Sequence, residues 1–263
     1  GTAIMDQGQT ELSSLTAHGN TGFDTFLAPR WQAAVHAALA RNAGELMAGL
    51  VHNLHNYAHT ISMQMEMWNS AQQRNPSASI FSQQRSLQRM TALSSGFAHE
   101  CSVLGDRSLY TGLEPSSIQL SSALNWLEGF WKHNLFFKHY VQLDIKMGVH
   151  TPAHLTIRPG LLIYGLEEGI KNGVESLTGT VEGQKVFNFD LEVTSSNSCL
   201  SFTLRTPTFL DHSIDPWQVG TSTKTDHLGL GLPLLQIVCR KMGWNCQLRG
   251  DDQGTNLVLA VPL

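Results

Sequence analysis

The sequence predicts an α+β chain: an N-terminal helical hairpin, completed as a dimeric four-helix bundle, followed by an α/β sandwich. Three observations predict it. Over 44–70 the apolar residues Leu46, Leu50, Leu54, Ala58, Ile61, Met65 and Trp68 recur in steps of three and four, the period of a helix with one buried face. Pro76 then interrupts the pattern before a second helical stretch. Beyond residue 115 the periodicity changes to short alternating runs between helices, as in a layered α/β body.

Taken in order, 1–25 is a polar, Gly/Ser/Thr-rich lead-in. A helix follows from about 29 to 72, alanine-rich at its start, with Pro29 where proline is tolerated. Gly44 and Gly49 each cost this helix about 1 kcal/mol relative to alanine, so they point to close packing or a flexible point beside His52. Asn75-Pro76-Ser77 is a break, and 77–79 can cap a second helix over 79–105. That helix carries Ile80, Leu87, Met90, Phe97, Cys101 and Leu104 on one face. Two long helices joined by a short turn form an antiparallel hairpin. Alone it cannot bury both faces, so a homodimer is expected. The hairpin is assigned to 26–108 and a second domain to 109–263. There, helices are expected at 121–137, 158–177 and 232–242, and strands at 140–147, 185–193, 199–205, 244–249 and 255–261. The last two strands close a hairpin around 250–252, in a mostly antiparallel sheet.

A length of 263 residues suits two domains. A formal charge of −4 and a pI near 6.3 argue against a dedicated nucleic-acid surface. No apolar run approaches bilayer-spanning length, so no membrane span is expected in this chain. Cys101, Cys199, Cys239 and Cys246 have no framework spacing, which reads as reduced thiols in a cytoplasmic protein.

On the first helix, His52, His55, Asn56 and His59 share a face away from the apolar seam. A neutral imidazole on an outward face is open to an in-line phosphoryl donor. The residues alone also fit solvated surface histidines, or a zinc site of His52, His55 and His59 that lacks a fourth ligand. The surrounding GELMAGLVHNLHN, 44–56, resembles the phosphoacceptor box of two-component sensor histidine kinases. The resemblance implies that His52 is the phosphorylated residue and that Asn56, one turn on, helps place the water that dephosphorylates the partner. Asn53 stands where the family has an acidic residue, and Tyr57 where it has proline. An amide can hydrogen-bond the ring but cannot withdraw its proton.

The second half extends the resemblance. GLEEGIKNGVESL, 165–177, resembles the asparagine box of the ATPase superfamily shared by gyrases, heat-shock chaperones, mismatch-repair proteins and histidine kinases. It puts Asn172 at the Mg²⁺-binding asparagine and Glu168 at the first polar position, one turn earlier on the same helix face. HLGLGLPLLQIVCRKMG, 227–243, resembles the second glycine box, which implies that Gly229 and Gly231 let phosphates approach the start of a helix. His227 stands where a first glycine is common. Residues 219–224 resemble the end of the nucleotide lid, where Lys224 either touches phosphates or is an exposed loop lysine. The first glycine box is gone. Thr206-Pro207-Thr208-Phe209-Leu210 replaces its adenine-reading aspartate and both glycines, and Asp211 and Asp215 lie in no glycine-rich turn. A site built to bond a polar base loses affinity and selectivity without that partner, and Phe209 and Leu210 are expected to bulk out the pocket floor.

The resemblance covers about 40–262 and implies a sandwich of the gyrase/histidine-kinase ATPase type, ATP and Mg²⁺ as cofactors, and a response-regulator receiver as partner. Two functions follow from it. One is a histidine-kinase-type protein that carries phosphate on His52 and exchanges it with a receiver aspartate. The other is a degenerate relative without ATP, acting as histidine phosphotransferase, as phosphatase through Asn56, or as docking scaffold.

Overall fold

The computed structural model describes residues 29–74, 80–179, 186–196, 198–210, 213, 215–220 and 229–263. The lead-in at 1–25 and the expected break and cap at 75–79 lie outside these residues. Helices α1 (Trp31–Arg74) and α2 (Ile80–Tyr110) form the hairpin. Of the α1 seam, Leu46 and Leu50 are fully buried, Leu54, Ile61 and Trp68 are half-buried, and Ala58 and Met65 are exposed. On α2, Leu87, Cys101 and Leu104 of the expected apolar face are exposed. Helix α2 runs on to Tyr110, five residues past its expected end at 105. Tertiary packing sustains the extension. Val103 and Tyr110 are buried, Tyr110 lies 5.2 Å from Trp126 between ring centroids, and Trp126 Nε1 donates to the Val103 carbonyl at 2.8 Å.

The helix expected at 121–137 is two helices, α3 (Leu120–Trp131) and α4 (Leu135–Tyr140). Asn134 causes the break. Its backbone is extended and its side chain accepts from the Phe137 amide, so it caps a new helix and turns the chain. Two four-residue strands, β1 (Ser116–Gln119) and β3 (His154–Ile157), pair antiparallel beside it; both are too short for alternation to reveal.

The main sheet has the order β2 (Val141–Met147), β4 (Phe187–Ser195), β5 (Cys199–Thr206), β7 (Gly254–Pro262), β6 (Asn245–Asp251). Only β2 and β4 run parallel; the other pairings are antiparallel, as expected. Register aligns Val193, Phe202, Leu259 and Cys246 in one row, and Leu191, Leu204, Leu257 and Leu248 in the next. Helices α5 (Pro159–Leu177) and α6 (Gly231–Met242) meet these rows. Helix α5 lies close because Gly165, Gly169 and Gly173 face the sheet; a Cβ there would come within 2.6 Å of Leu259, 2.7 Å of Leu204 and 2.8 Å of Phe189. Helix α6 ends at Gly243, whose φ of 69° suits glycine; its N–H bonds Arg240 and the Trp244 N–H bonds Cys239.

The hydrophobic core is continuous across the chain. Trp31, Val35, Ala38, Leu39 and Leu46 of α1 belong to the same buried cluster as the sheet residues. The N-terminal half of α1 therefore packs on the α/β body, and its C-terminal half carries the histidines. Among the described residues no helix is long and apolar enough to cross a membrane.

Candidate functional site

Helix α1 presents His52, His55, Asn56 and His59, all exposed. Asn56 lies four residues after His52, and its Nδ2 stands 3.0 Å from His52 Nε2. With the amide donating, Nε2 offers its lone pair and the ring proton sits on Nδ1. Nε2 of His52 and the Asn56 amide thus lie on one helix face. Among the described residues no three His, Cys, Asp or Glu are grouped to hold a metal ion.

Asn53 turns the other way. It is half-buried, and its Nδ2 donates to Glu100 Oε1 of α2 at 3.4 Å. The other Glu100 oxygen, Oε2, lies 2.6 Å from Nε2 of His133, whose Nδ1 lies 2.8 Å from the Phe130 carbonyl. His133 is buried in the turn between α3 and α4. That turn meets α1 at Gly49, where a Cβ would fall 2.0 Å from the His133 carbonyl oxygen. Close packing, rather than flexibility, therefore accounts for Gly49. Asn53, Glu100, Asp106, Glu128, Lys132 and His133 help line a cavity of about 510 Å³ beside the histidine-bearing stretch of α1. Residues 100 and 133 carry no local sequence signal, because their pairing spans 33 positions.

Helix α5 carries the second set. Glu168 is buried; Asn42 Nδ2 donates to its Oε1 at 3.2 Å and Arg41 Nη2 at 3.4 Å. Next to it, Glu167 is fully buried, 2.8 Å from Arg107 Nη1 and 3.3 Å from the same Asn42 amide. Lys171, also buried, pairs with Glu45 of α1. Three charged residues of α5 are thus engaged by the hairpin. Glu167 and Lys171 were legible only as charges on an amphipathic helix.

Burial raises the pKa of both Glu167 and Glu168 above the ordinary 4.5, against the lowering effect of Arg107 on the first and of Asn42 and Arg41 on the second. A carboxyl with a raised folded-state pKa contributes stability that is full below its unfolded value and is lost as pH rises through the folded value. The expected result is that the wild-type advantage over Glu168→Gln shrinks as pH climbs from about 4.5 toward neutrality. Urea unfolding of both proteins across that window checks it; parallel pH profiles would show that Glu168 ionises as an exposed carboxylate does.

Asn172, one turn after Glu168, is half-buried, and its carbonyl accepts from Ser176 Oγ at 2.8 Å. Gly229 has φ 60°, a conformation that suits glycine, just before α6. Gly231 opens α6, and a Cβ there would lie 2.0 Å from Glu168 Oε2, while Tyr164 Oη donates to its carbonyl at 2.7 Å. The space beside Gly231 therefore holds a carboxylate of the chain's own. Lys224, His227 and Asp211 fall outside the described residues.

Residues 206–210 fold onto their neighbours. The buried Thr206 packs on α5 at Gly173, where a Cβ would meet its Cγ2 at 2.9 Å. Thr206 Oγ1 lies 2.9 Å from Thr208 Oγ1, and Thr255 Oγ1 donates to the Thr208 carbonyl at 2.6 Å. Thr206 and Phe189 thus fill the space between α5 and the sheet. Phe209 corrects an expectation: at 75% exposure it points to solvent instead of bulking a pocket floor. Leu210 lies against Gly250.

No family model and no curated protein matches the chain. Among solved structures it is similar to full-length ShkA in complex with AMPPNP (15% identity, TM-score 0.47), over 68% of this chain and 39% of that one. It is also similar to the nucleotide-free catalytic domain of the histidine kinase ThkA (12%, 0.46), over 57% and 97%. A third is the Acinetobacter baumannii histidine kinase AdeS (9%, 0.41), over 80% and 97%. The chain thus spans well under half of full-length ShkA and nearly all of the other two. In architecture the chain is similar to histidine-kinase catalytic domains.

Proposed function

We propose that this chain is a histidine-kinase-like protein of two-component signalling that carries phosphate on His52 and exchanges it with an aspartate of a response-regulator receiver. The observation that carries the reading is the exposed His52 ring with Nε2 3.0 Å from the Asn56 amide. In the forward step the Asn56 amide releases Nε2, whose lone pair then attacks the phosphorus of an aspartyl phosphate, the P–O bond to the aspartate breaks, and its carboxylate leaves. The reverse step returns the phosphoryl group to a receiver.

Its phosphate source is a receiver rather than ATP. Two observations favour this phosphotransferase form: the packed Thr206–Gly173 contact at the base end, and the engagement of Glu168 by Asn42 and Arg41. A homodimer completes the bundle. Val51 and Met65, spaced by two heptads on α1, and Leu87 on α2 are more than half exposed in the single chain. The four cysteines are free thiols, which suits a reducing cytoplasm.

The test supplies the chain with phosphorylated receiver domains in one arm and with Mg²⁺–ATP in the other. Acid-labile phosphate is expected on the wild type in the receiver arm and none on His52→Gln. Unchanged labelling of the variant sinks the assignment of His52. In the second arm, calorimetry is expected to show no ATP binding; binding that Asn172→Ala abolishes would restore the ATP-driven form.

A further inference from the structure

We infer that Cys239 and Cys246 form a redox site, a buried thiol pair that a small-molecule disulfide oxidises to an internal disulfide stapling α6 to β6. The inference is independent of His52 and of its phosphate source. The fold brings the two side chains together. Register sets Cys246 opposite Leu259, in a row of sheet residues that faces the helices. Leu259 and Leu235 of α6 both meet α5 at Gly165, where a Cβ would come within 2.6 Å of the first and 3.2 Å of the second. Cys239 follows Leu235 by one helical turn, on the same face, and is 2% exposed. The chain then turns at Gly243, the Trp244 N–H bonds the Cys239 carbonyl at 2.8 Å, and β6 returns beneath α6. There the two thiols meet in a side-chain hydrogen bond.

The thiols differ in access. Cys246 is half-buried and Cys239 is closed off, so an oxidant reaches Cys246 first. The Cys246 thiolate attacks one sulfur of a small-molecule disulfide. The S–S bond of the oxidant breaks, a mixed disulfide forms on Cys246, and one small thiolate leaves. The Cys239 thiolate then attacks the Cys246 sulfur, closes the internal disulfide and expels the second small thiolate. Two electrons pass to the oxidant, and the two protein thiol protons end on the two released thiols. The hydrogen bond with Cys239, and then burial, push the Cys246 thiol above its ordinary range. Its thiolate is scarce at neutral pH, so the pair reacts slowly and stays reduced until an oxidised pool persists.

The staple acts at the border of the sheet. Strand β6 is an edge strand with β7 as its sheet neighbour, and the Gly243 turn joins it to α6. A disulfide between residues 239 and 246 closes a short loop, fixes the last turn of α6 on this edge, and restricts the unfolded chain.

Oxidised glutathione is the probe, applied to the full chain carrying Cys101→Ser and Cys199→Ser so that only the pair can react. The expected product has lost two hydrogens, carries no glutathione, maps to a Cys239–Cys246 cross-link, and returns to thiols with dithiothreitol. Its thermal midpoint is expected to rise by about 5 °C. Adding Cys239→Ser is expected to stop the reaction at the mixed disulfide on Cys246, without that rise. The rate is expected to keep climbing past about pH 8.5, where an ordinary thiol levels off. A parent chain that keeps glutathione on Cys246, or stays unreacted at every pH, overturns the inference. So does a cross-link that leaves the midpoint unchanged, because α6 and β6 are then not stapled. Should Cys239→Ser fail to fold, the mapped product of the parent chain decides alone.

Discussion

Arg107→Ala is expected to lower the stability of the fold by about 3–5 kcal/mol, the cost of leaving a buried carboxylate without its partner. Arg107 joins three elements. Its Nη1 meets Glu167 of α5 at 2.8 Å, its Nη2 donates to the Leu39 carbonyl of α1 at 2.6 Å, and its guanidinium carbon stands 4.5 Å from the Phe130 ring centroid of α3. The Glu167 side chain is wholly buried and that of Arg107 is 12% exposed, so solvent screens the pair little. The loss depends on pH. Burial already raises the Glu167 pKa, and removing the cation raises it further, so the variant escapes part of the penalty by protonation. The gap between wild type and variant should therefore narrow toward acid pH, as denaturant unfolding at several pH values would show. A loss below about 1 kcal/mol at neutral pH would mean that the pair behaves as an exposed one.

Gly49→Ala should also destabilise, although alanine favours a helix by about 1 kcal/mol at such a position. The new Cβ would fall 2.0 Å from the His133 carbonyl oxygen and 2.9 Å from its carbon. Both are backbone atoms and cannot rotate away. Overpacking of this kind costs about 1–3 kcal/mol, so the tertiary term exceeds the helical gain. The two are separable by measurement. A peptide of α1 alone should gain helicity on substitution, while the full chain loses thermal stability. A full chain that gains stability would show that α1 does not rest on the turn between α3 and α4.

Legibility in the sequence followed the range of the interaction. The seam of α1 and the outward histidines recur within a few turns of one helix, so their period reveals them. The long α5 and the glycine-led α6 were legible for the same reason. The polar lock between hairpin and α5 was not, since Arg107–Glu167 and Asn42–Glu168 join positions 60 and 126 residues apart. Two missed features had local signals. Asn134 before Leu135-Phe136-Phe137 is an N-cap followed by apolar residues, and it marks the break between α3 and α4. Gly165, Gly169 and Gly173 recur every fourth residue, which lays a smooth strip along one side of α5. That 206–210 holds no aspartate and no glycine was readable in the sequence. That Thr206 would fill the space, with Phe209 turned outward, depended on partners in β7 and α5.

The smooth strip of α5 has a mechanical consequence. On that side only hydrogen atoms separate the helix backbone from Leu204, Leu257, Leu259 and Phe189, so α5 cannot settle any lower. On the other side Glu167, Glu168 and Lys171 tie it to α1 and α2 through polar contacts of fixed direction. The helix is therefore clamped like a rod between a floor and a set of stays. Whatever wedges into the floor lifts the rod and strains the stays, and whatever shifts the stays tilts the rod. Displacements on the sheet side and in the first part of α1 are thus transmitted through one stiff part.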